Sequence, residues 1–122
     1  ILIIEDNEKN RKLCRDVLQV KGYRTIESET AEDGLKLAAE QSPQLILMDI
    51  QLPGMDGLTA TRHLKANPTT REIPVLAVTS YAMKGDRESA AAAGCVGYIT
   101  KPIDKTAFLR EVAAHLATRV QA

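Results

Sequence analysis

The chain has 122 residues, of which 44% are hydrophobic and 26% are charged, with 16 basic and 16 acidic side chains. This size and composition fit one globular domain over residues 1–122 and argue against a disordered chain. No apolar run approaches the roughly 18 residues of a transmembrane helix, so we expect no membrane insertion. A neutral net charge, with three Tyr, one Phe and no Trp, argues against direct binding of nucleic acid.

Five short runs predict β-strands, because most of them are rich in Ile, Leu and Val and are bounded by polar or turn-forming residues. The predicted strands cover residues 1–4, 24–28, 45–49, 73–79 and 96–100.

A helix is predicted after each strand. Asn7, Thr30 and Asp104 are good N-caps, because their side chains can accept a hydrogen bond from the first helical turn. Glycine or proline follows the first four helices, where helices commonly end. The predicted helices cover residues 8–21, 31–41, 58–66, 82–93 and 105 onward, and the last has Phe108, Leu109, Val112, Ala113 and Leu116 at helical spacing.

Strands that alternate with helices predict an α/β fold, in which helices cover both faces of a parallel sheet. Right-handed crossovers leave few arrangements for five strands. The flavodoxin-like, doubly wound strand order 2-1-3-4-5 is the natural one, and it places the third strand at the centre.

Two observations bear on the cellular setting. Cys14 and Cys95 lie far apart without framework spacing, which favours free thiols in a reducing compartment. The chain starts at Ile1 inside an apolar run and has no signal peptide. We therefore expect a cytoplasmic protein whose natural N-terminus lies a few residues upstream, or further upstream in a longer chain.

Polar side chains collect at the carboxyl ends of the predicted strands, where ligands of doubly wound sheets bind. Each acid alone is most often a helix cap or a turn former, and Lys101 could simply pair with Asp49. Because independent elements agree, we favour a functional site. It would contain three acids, two hydroxyls and an ammonium: Glu5, Asp6, Asp49, Thr79, Ser80 and Lys101.

These residue types suit phosphoryl transfer. Neighbouring carboxylates repel each other unless a cation lies between them, and all-oxygen ligation favours Mg²⁺ or Mn²⁺. A bare metal site has no need of Lys101, whereas a phosphoryl group would be neutralised by Lys and Mg²⁺ together. Asp49, the central carboxylate, is the best candidate for an aspartyl phosphate. Thr79 would offer a hydroxyl to a phosphoryl oxygen.

Four separated motifs resemble those of the receiver domains of two-component response regulators, and the resemblance covers essentially the whole chain. Their order and approximate spacing are those of the family. Within the family, the sequence is most similar to single-domain regulators and to receivers attached to hybrid sensor kinases. The motifs are Glu5-Asp6, the acceptor segment Met48–Gly57, Thr79-Ser80 and Lys101-Pro102.

The resemblance implies a phosphorylation-activated switch of a phosphorelay. Asp49 would accept a phosphoryl group from a phosphohistidine of a sensor histidine kinase or a histidine phosphotransfer protein. A downstream protein target would read the result. The chain would catalyse only its own phosphorylation and dephosphorylation, and it would be a monomer or a weak, phosphorylation-linked dimer.

The resemblance also implies a metal site. Asp6 and Asp49 would ligate Mg²⁺ directly, Glu5 mostly through water, and the backbone carbonyl of Gln51 would complete the site. Glu5 departs from the commonest pattern, in which this acid is Asp. Lys101 would contact the phosphoryl group, and the Lys101-Pro102 bond would be cis.

The same resemblance implies a conformational switch. Thr79 would move toward the phosphoryl oxygens and Tyr98 would change rotamer with it, although strand propensity alone would make Tyr98 an ordinary half-buried aromatic. Signalling would use helix 4, strand 5 and helix 5. Residues 81–94 contain Gly85 and four consecutive alanines, so we expect a weakly held helix there. Gln51 and Tyr81 would flank the path of the water that attacks the phosphoryl group.

Several alternatives compete with this interpretation. A haloacid-dehalogenase-type phosphatase would need an acid two residues after the nucleophile, where Gln51 stands. An FMN carrier would need a hydroxyl- and glycine-rich phosphate loop in place of the acidic segment 5–8. An interaction module that has lost phosphorylation is disfavoured by the intact motifs. The receiver of a hybrid kinase, passing phosphate to a phosphotransfer protein, remains open.

Overall fold

The computed structural model describes residues 1–80 and 84–121, and strands alternate with helices along them. Every predicted element is confirmed to within a few residues, although the predicted start of the fourth helix, at residue 82, lies outside the described residues. The elements are β1 (Leu2–Ile4), α1 (Glu8–Val20), β2 (Ile26–Ser28), α2 (Ala31–Gln41), β3 (Ile46–Asp49), α3 (Gly57–Ala66), β4 (Val75–Thr79), α4 (Lys84–Ala93), β5 (Gly97–Thr100) and α5 (Lys105–Gln121).

The five strands form one parallel sheet in the order β2-β1-β3-β4-β5, which confirms the predicted topology. The register pairs Ile4 with Met48 and Asp49 with Val78. Because all strands run in one direction, the residues that end β1, β3 and β4 meet at a single edge of the sheet.

Both faces of the sheet are buried. Along β1, Ile3 points into one apolar cluster while Leu2 and Ile4 point into the other, as expected for a strand covered on both sides. Helices α1 and α5 supply the first cluster, and α2 and α3 supply the second. Ala113, part of the predicted apolar stripe of α5, is exposed instead.

Side chains cap the helices where the sequence predicts it. Asn7, Thr30 and Asp104 each accept a hydrogen bond from the backbone three residues on, at 3.0, 3.2 and 3.1 Å. Asp56 does the same at the start of α3, with 2.8 Å to the backbone nitrogen of Thr59. These caps fix where each helix begins, and therefore fix the short loops between the strand ends and the helices.

Among the described residues, no helix has the length and apolar character needed to cross a lipid bilayer. Cys14 and Cys95 are free thiols, as predicted.

Candidate functional site

Three carboxylates meet at the edge where β1 and β3 end. Glu5, Asp6 and Asp49 each offer an oxygen, and these oxygens all lie within 4.8 Å of one another. Glu5 and Asp49 are buried, whereas Asp6 is exposed. A group of carboxylate oxygens at this spacing has the donor chemistry of a hard divalent cation site. The structure thus brings together the three acids that the sequence singled out.

Lys101 reaches this cluster from the edge of the sheet opposite β2. It follows β5, and its Nζ lies 2.7 Å from Glu5 Oε1 and 3.5 Å from Asp49 Oδ2, with the side chain only 14% exposed. Its backbone nitrogen donates to the carbonyl of Thr79. The peptide bond between Lys101 and Pro102 is cis, as expected. The ammonium therefore pairs more closely with Glu5 than with Asp49.

The pKa values of the two buried acids, Glu5 and Asp49, shift in opposite directions. Burial, together with the hydrogen bond to Glu5 and its negative charge, raises the pKa of Asp49 to about 7. Burial also opposes ionisation of Glu5, but its hydrogen bonds to Asp49 and Lys101 outweigh that effect and lower its pKa. Burial likewise disfavours the Lys101 ammonium, yet the two carboxylates raise its pKa. The Lys101 ammonium thus does not offset the burial of Asp49 and the charge of Glu5, and the neutral form of Asp49 is favoured.

The backbone around Asp49 is tightly fixed. The backbone nitrogen of Gln51 donates to Asp49 Oδ1 at 3.1 Å, and that of Gly57 donates to the carbonyl of Ile50 at 3.0 Å. A Cβ atom on Gly57 would collide with the carbonyl oxygen of Asp49. The first residue of α3 must therefore be glycine for the helix to approach the end of β3 this closely.

Thr79 ends β4 beside the acids and is 1% exposed. Its hydroxyl lies against the side-chain amide of Gln51, 2.8 Å from Nε2 and 3.0 Å from Oε1. Sequence reasoning assigned Gln51 a backbone carbonyl and a place beside the water path, and it missed this contact. No signal in a single sequence marks a contact between residues at the ends of different strands.

Tyr98 lies half-buried on β5, next to Ala77 of β4. The guanidinium of Arg87, on α4, lies 5.4 Å from the centre of its ring, within the range of a cation–π contact. Its hydroxyl is buried and makes no hydrogen bond of regular geometry among residues 1–80 and 84–121. Burial raises its pKa, and the neighbouring Thr79 hydroxyl offsets only part of that rise. The rotamer change predicted for Tyr98 stays a prediction, and Tyr81 lies outside the described residues.

Arg11 is a second residue that the sequence did not reveal. From α1, its Nη1 donates to the backbone carbonyl of Glu5 at 2.9 Å. Its Nε and Nη2 lie 3.3 Å from Glu27 and from Glu29, respectively. Arg11 therefore ties the end of β1, which carries the acidic pair, to β2 and the loop that follows it. A basic residue on a helix gives no sequence signal for such a role.

The acids face an open cleft of about 290 Å³, which gives a small ligand access to Asp49. It is lined by Glu5, Asp6, Asn7, Asn10, Asp49, Gln51, Ser80 and Lys101. Ser80, the predicted second hydroxyl, is thus a lining residue.

Residues 1–113 match the response regulator receiver domain family. The chain belongs to this family, as its four motifs predicted, and it is a receiver domain of two-component signalling.

Its relatives agree with this assignment. The polar-differentiation response regulator DivK of Brucella ovis is 47% identical over 116 residues, which cover 95% of this chain and 94% of that protein. DivK of Brucella anthropi gives the same values.

Solved structures share the fold. The receiver domain of the sensor histidine kinase PA1611 from Pseudomonas aeruginosa PAO1, with magnesium coordinated in its active site cleft, is 33% identical, with a TM-score of 0.88 and 95% of each chain covered. The chemotaxis protein CheY4 of Vibrio cholerae has a TM-score of 0.88 at 20% identity over 93% of this chain and 94% of that one. At this identity, the second comparison supports the fold alone.

Proposed function

We propose that the chain is a phosphorylation-activated switch whose phosphoryl acceptor is Asp49. The observation that carries this proposal is a buried carboxylate, 3% exposed, that lines an open cleft with the Lys101 ammonium 3.5 Å away. A phosphohistidine on a sensor histidine kinase or a histidine phosphotransfer protein supplies the phosphoryl group, and a downstream protein target reads the result. The setting of this exchange is the cytoplasm.

Glu5, Asp6 and Asp49, with the backbone carbonyl of Gln51, would hold Mg²⁺ or Mn²⁺, which when bound would neutralise the charge of the phosphoryl oxygens. The close approach of three carboxylates fits a divalent ion. The raised pKa of Asp49 fits it too, since burial and the neighbouring Glu5 disfavour the Asp49 carboxylate and a bound cation would offset both effects. The magnesium in the PA1611 cleft belongs to that protein and supports this assignment by similarity.

In the transfer step, a carboxylate oxygen of Asp49 attacks the phosphorus of the phosphohistidine. The oxygen–phosphorus bond forms as the phosphorus–nitrogen bond breaks, and the imidazole nitrogen keeps the electron pair of that bond. Lys101, whose Nζ lies 3.5 Å from Asp49 Oδ2, would donate to a phosphoryl oxygen on Asp49. The hydrogen bond from the Gln51 backbone to Asp49 Oδ1 holds the attacking carboxylate in one orientation.

The signal would leave the site through Thr79 and Tyr98. Thr79 ends β4, the strand next to β3, and Tyr98 lies on β5 beyond it, so a shift of Thr79 toward Asp49 would change the surroundings of the Tyr98 ring. The buried Tyr98 hydroxyl would gain a partner by changing rotamer. The surface of α4, β5 and α5 is then the output face.

The same chemistry also serves the receiver of a hybrid kinase, which passes its phosphoryl group to a phosphotransfer protein. The similarity to the PA1611 receiver favours this as a second candidate. A haloacid-dehalogenase-like phosphatase is not supported, because the Gln51 amide contacts Thr79 and cannot act as a general acid.

Phosphorylation and amide shifts test the proposal. With acetyl phosphate and Mg²⁺, the intact protein should gain the mass of one phosphoryl group, and with beryllofluoride the amide signals of Thr79 and Tyr98 should move. Asp49→Asn should abolish both effects, while Asp33→Asn, at an exposed acid of α2, should change neither. Phosphorylation of Asp49→Asn at the wild-type rate would overturn the proposal.

A further inference from the structure

We propose that the Gln51 side chain latches the Thr79 hydroxyl in the unphosphorylated protein and so sets how readily a phosphoryl group on Asp49 captures Thr79. We call this contact the Gln51–Thr79 latch. The proposal rests on the function proposed above and adds a positioning residue to it. Its basis is the contact of 2.8 Å and 3.0 Å between the amide and the hydroxyl.

The contact does not depend on which end of the amide carries the oxygen. Both terminal atoms of Gln51 lie within hydrogen-bond distance of Thr79 Oγ1, so the hydroxyl can donate to one orientation or accept from the other. A phosphoryl oxygen on Asp49 accepts hydrogen bonds and competes for the hydroxyl proton. Where the hydroxyl donates to Gln51 Oε1, that bond must break before Thr79 can donate to the phosphoryl group; where it accepts from Nε2, the amide holds the hydroxyl oxygen back from a shift toward Asp49.

Burial makes the two partners unequal. Thr79 is 1% exposed, so its hydroxyl loses stabilisation when the amide leaves. Gln51 is exposed, so its released amide is hydrated at once. The latch thus stabilises the unphosphorylated arrangement. Removing the latch would leave the free energy of the phosphorylated arrangement almost unchanged. This difference between two states is what lets a contact shift an equilibrium.

The side chain and the backbone of Gln51 do different things. Its backbone nitrogen holds Asp49 Oδ1, and its backbone carbonyl is a proposed metal ligand, whereas the latch uses the side chain alone. A substitution at position 51 therefore removes the latch and keeps both backbone groups. Methionine matches glutamine in length and makes no comparable hydrogen bond, which makes Gln51→Met the informative variant.

Affinity for beryllofluoride, a phosphoryl mimic, measures the latch. An ordinary hydrogen bond changes an equilibrium by a factor of roughly two to ten. With Mg²⁺ present, Gln51→Met should therefore bind beryllofluoride roughly two- to tenfold more tightly than wild type, measured by the Thr79 and Tyr98 amide shifts. Gln44→Met, at an exposed glutamine before β3, is the matched control and should bind like wild type.

Second-site variants separate a latch from a change of shape. In a Thr79→Ala background, which lacks the hydroxyl, Gln51→Met should have no effect on affinity. In a Thr79→Ser background, which keeps the hydroxyl, the gain should return. Unchanged or weaker binding by Gln51→Met in the wild-type background overturns the latch, as does an equal gain in the Thr79→Ala background. Failure of the proposed function looks different, because Asp49→Asn would then bind beryllofluoride as well as wild type.

Discussion

At Asp49, a buried carboxylate lies beside a second buried carboxylate, Glu5, and the nearest ammonium is closer to Glu5. The folded carboxyl keeps its proton up to about pH 7, whereas the unfolded one loses it near 3.8. Between these values the folded state binds more protons, so the free energy of unfolding falls as the pH rises. Without a divalent cation, the proposed acceptor is a source of instability at neutral and higher pH.

We therefore expect Asp49→Asn to stabilise the protein in EDTA near pH 8. The gain should be about 1 kcal/mol, since the open cleft screens part of the charge, and this corresponds to a few degrees in Tm. Near pH 5, where the folded Asp49 is protonated, the difference should largely disappear. Melting followed by circular dichroism at both pH values measures it, and equal melting temperatures at pH 8 would contradict the charge argument.

Residue types decided how much of the site was predictable. Each of these residues ends a strand or directly follows one, so a correct topology places them at one edge: Glu5, Asp6, Asp49, Thr79 and Lys101. The contacts made there by neutral or long side chains could not be predicted. Gln51 and Arg11 act through directions that their side chains take across the sheet edge, and those directions depend on packing.

Among the elements, the junction between β3 and α3 brings two backbone segments close together beside the site. Gly57 opens α3 directly against the carbonyl of Asp49, where a Cβ atom would meet backbone. Backbone cannot move aside as the end of a flexible side chain can. The packing of α3 and the placement of Asp49 are thus one structural feature.

We expect Gly57→Ala to destabilise the protein by about 2 kcal/mol and to slow phosphorylation, because the collision must displace α3 or the acceptor. Gly85→Ala is the matched control. It lies in α4 with open space around its missing Cβ, and alanine there should stabilise by up to about 1 kcal/mol. Urea unfolding and the rate of mass gain with acetyl phosphate measure both variants. If Gly57→Ala and Gly85→Ala were equally stable, the backbone near Asp49 could shift at little cost in free energy, and the collision argument would be wrong.

The elements also show why boundaries were harder to predict than types. Strand β2 is three residues long, against five predicted, because only Ile26 to Ser28 pair with β1. A propensity pattern marks residues that can extend, whereas pairing depends on the neighbour. The helix starts were predicted more closely, since Asn7, Thr30 and Asp104 mark three of them with a cap.

For the molecule as a whole, local stability differs between the central strands and the helices that pack on them. Strands β3 and β4 are buried along their full length. In α4, the buried residues among those described are Ala90 and Ala93, and residues 85–89 are exposed. Small side chains bury little apolar area, so α4 is held less firmly than the strands beneath it.

Hydrogen exchange should follow this gradient. We expect the backbone amides of α4 to exchange at least about tenfold faster than those of β3 and β4, because local opening of α4 exposes little apolar surface. Amide exchange followed by NMR resolves the elements, with α1 as a helical control that buries Cys14, Val17 and Leu18. If α4 exchanged as slowly as α1, the proposed output face would lack a mobile helix.

The ion pair between Lys101 and Glu5 connects the end of the last strand to the end of the first, and most of the chain lies between the two residues. Contacts so distant in sequence require closure of a long loop and form only when the intervening topology is in place. A chain synthesised from its N-terminus carries Glu5, Asp6 and Asp49 well before Lys101 exists. Incomplete or truncated products without β5 would keep the acids and lack the ammonium. If the proposed function holds, the chain can therefore signal only after β5 and Lys101 have joined the folded sheet.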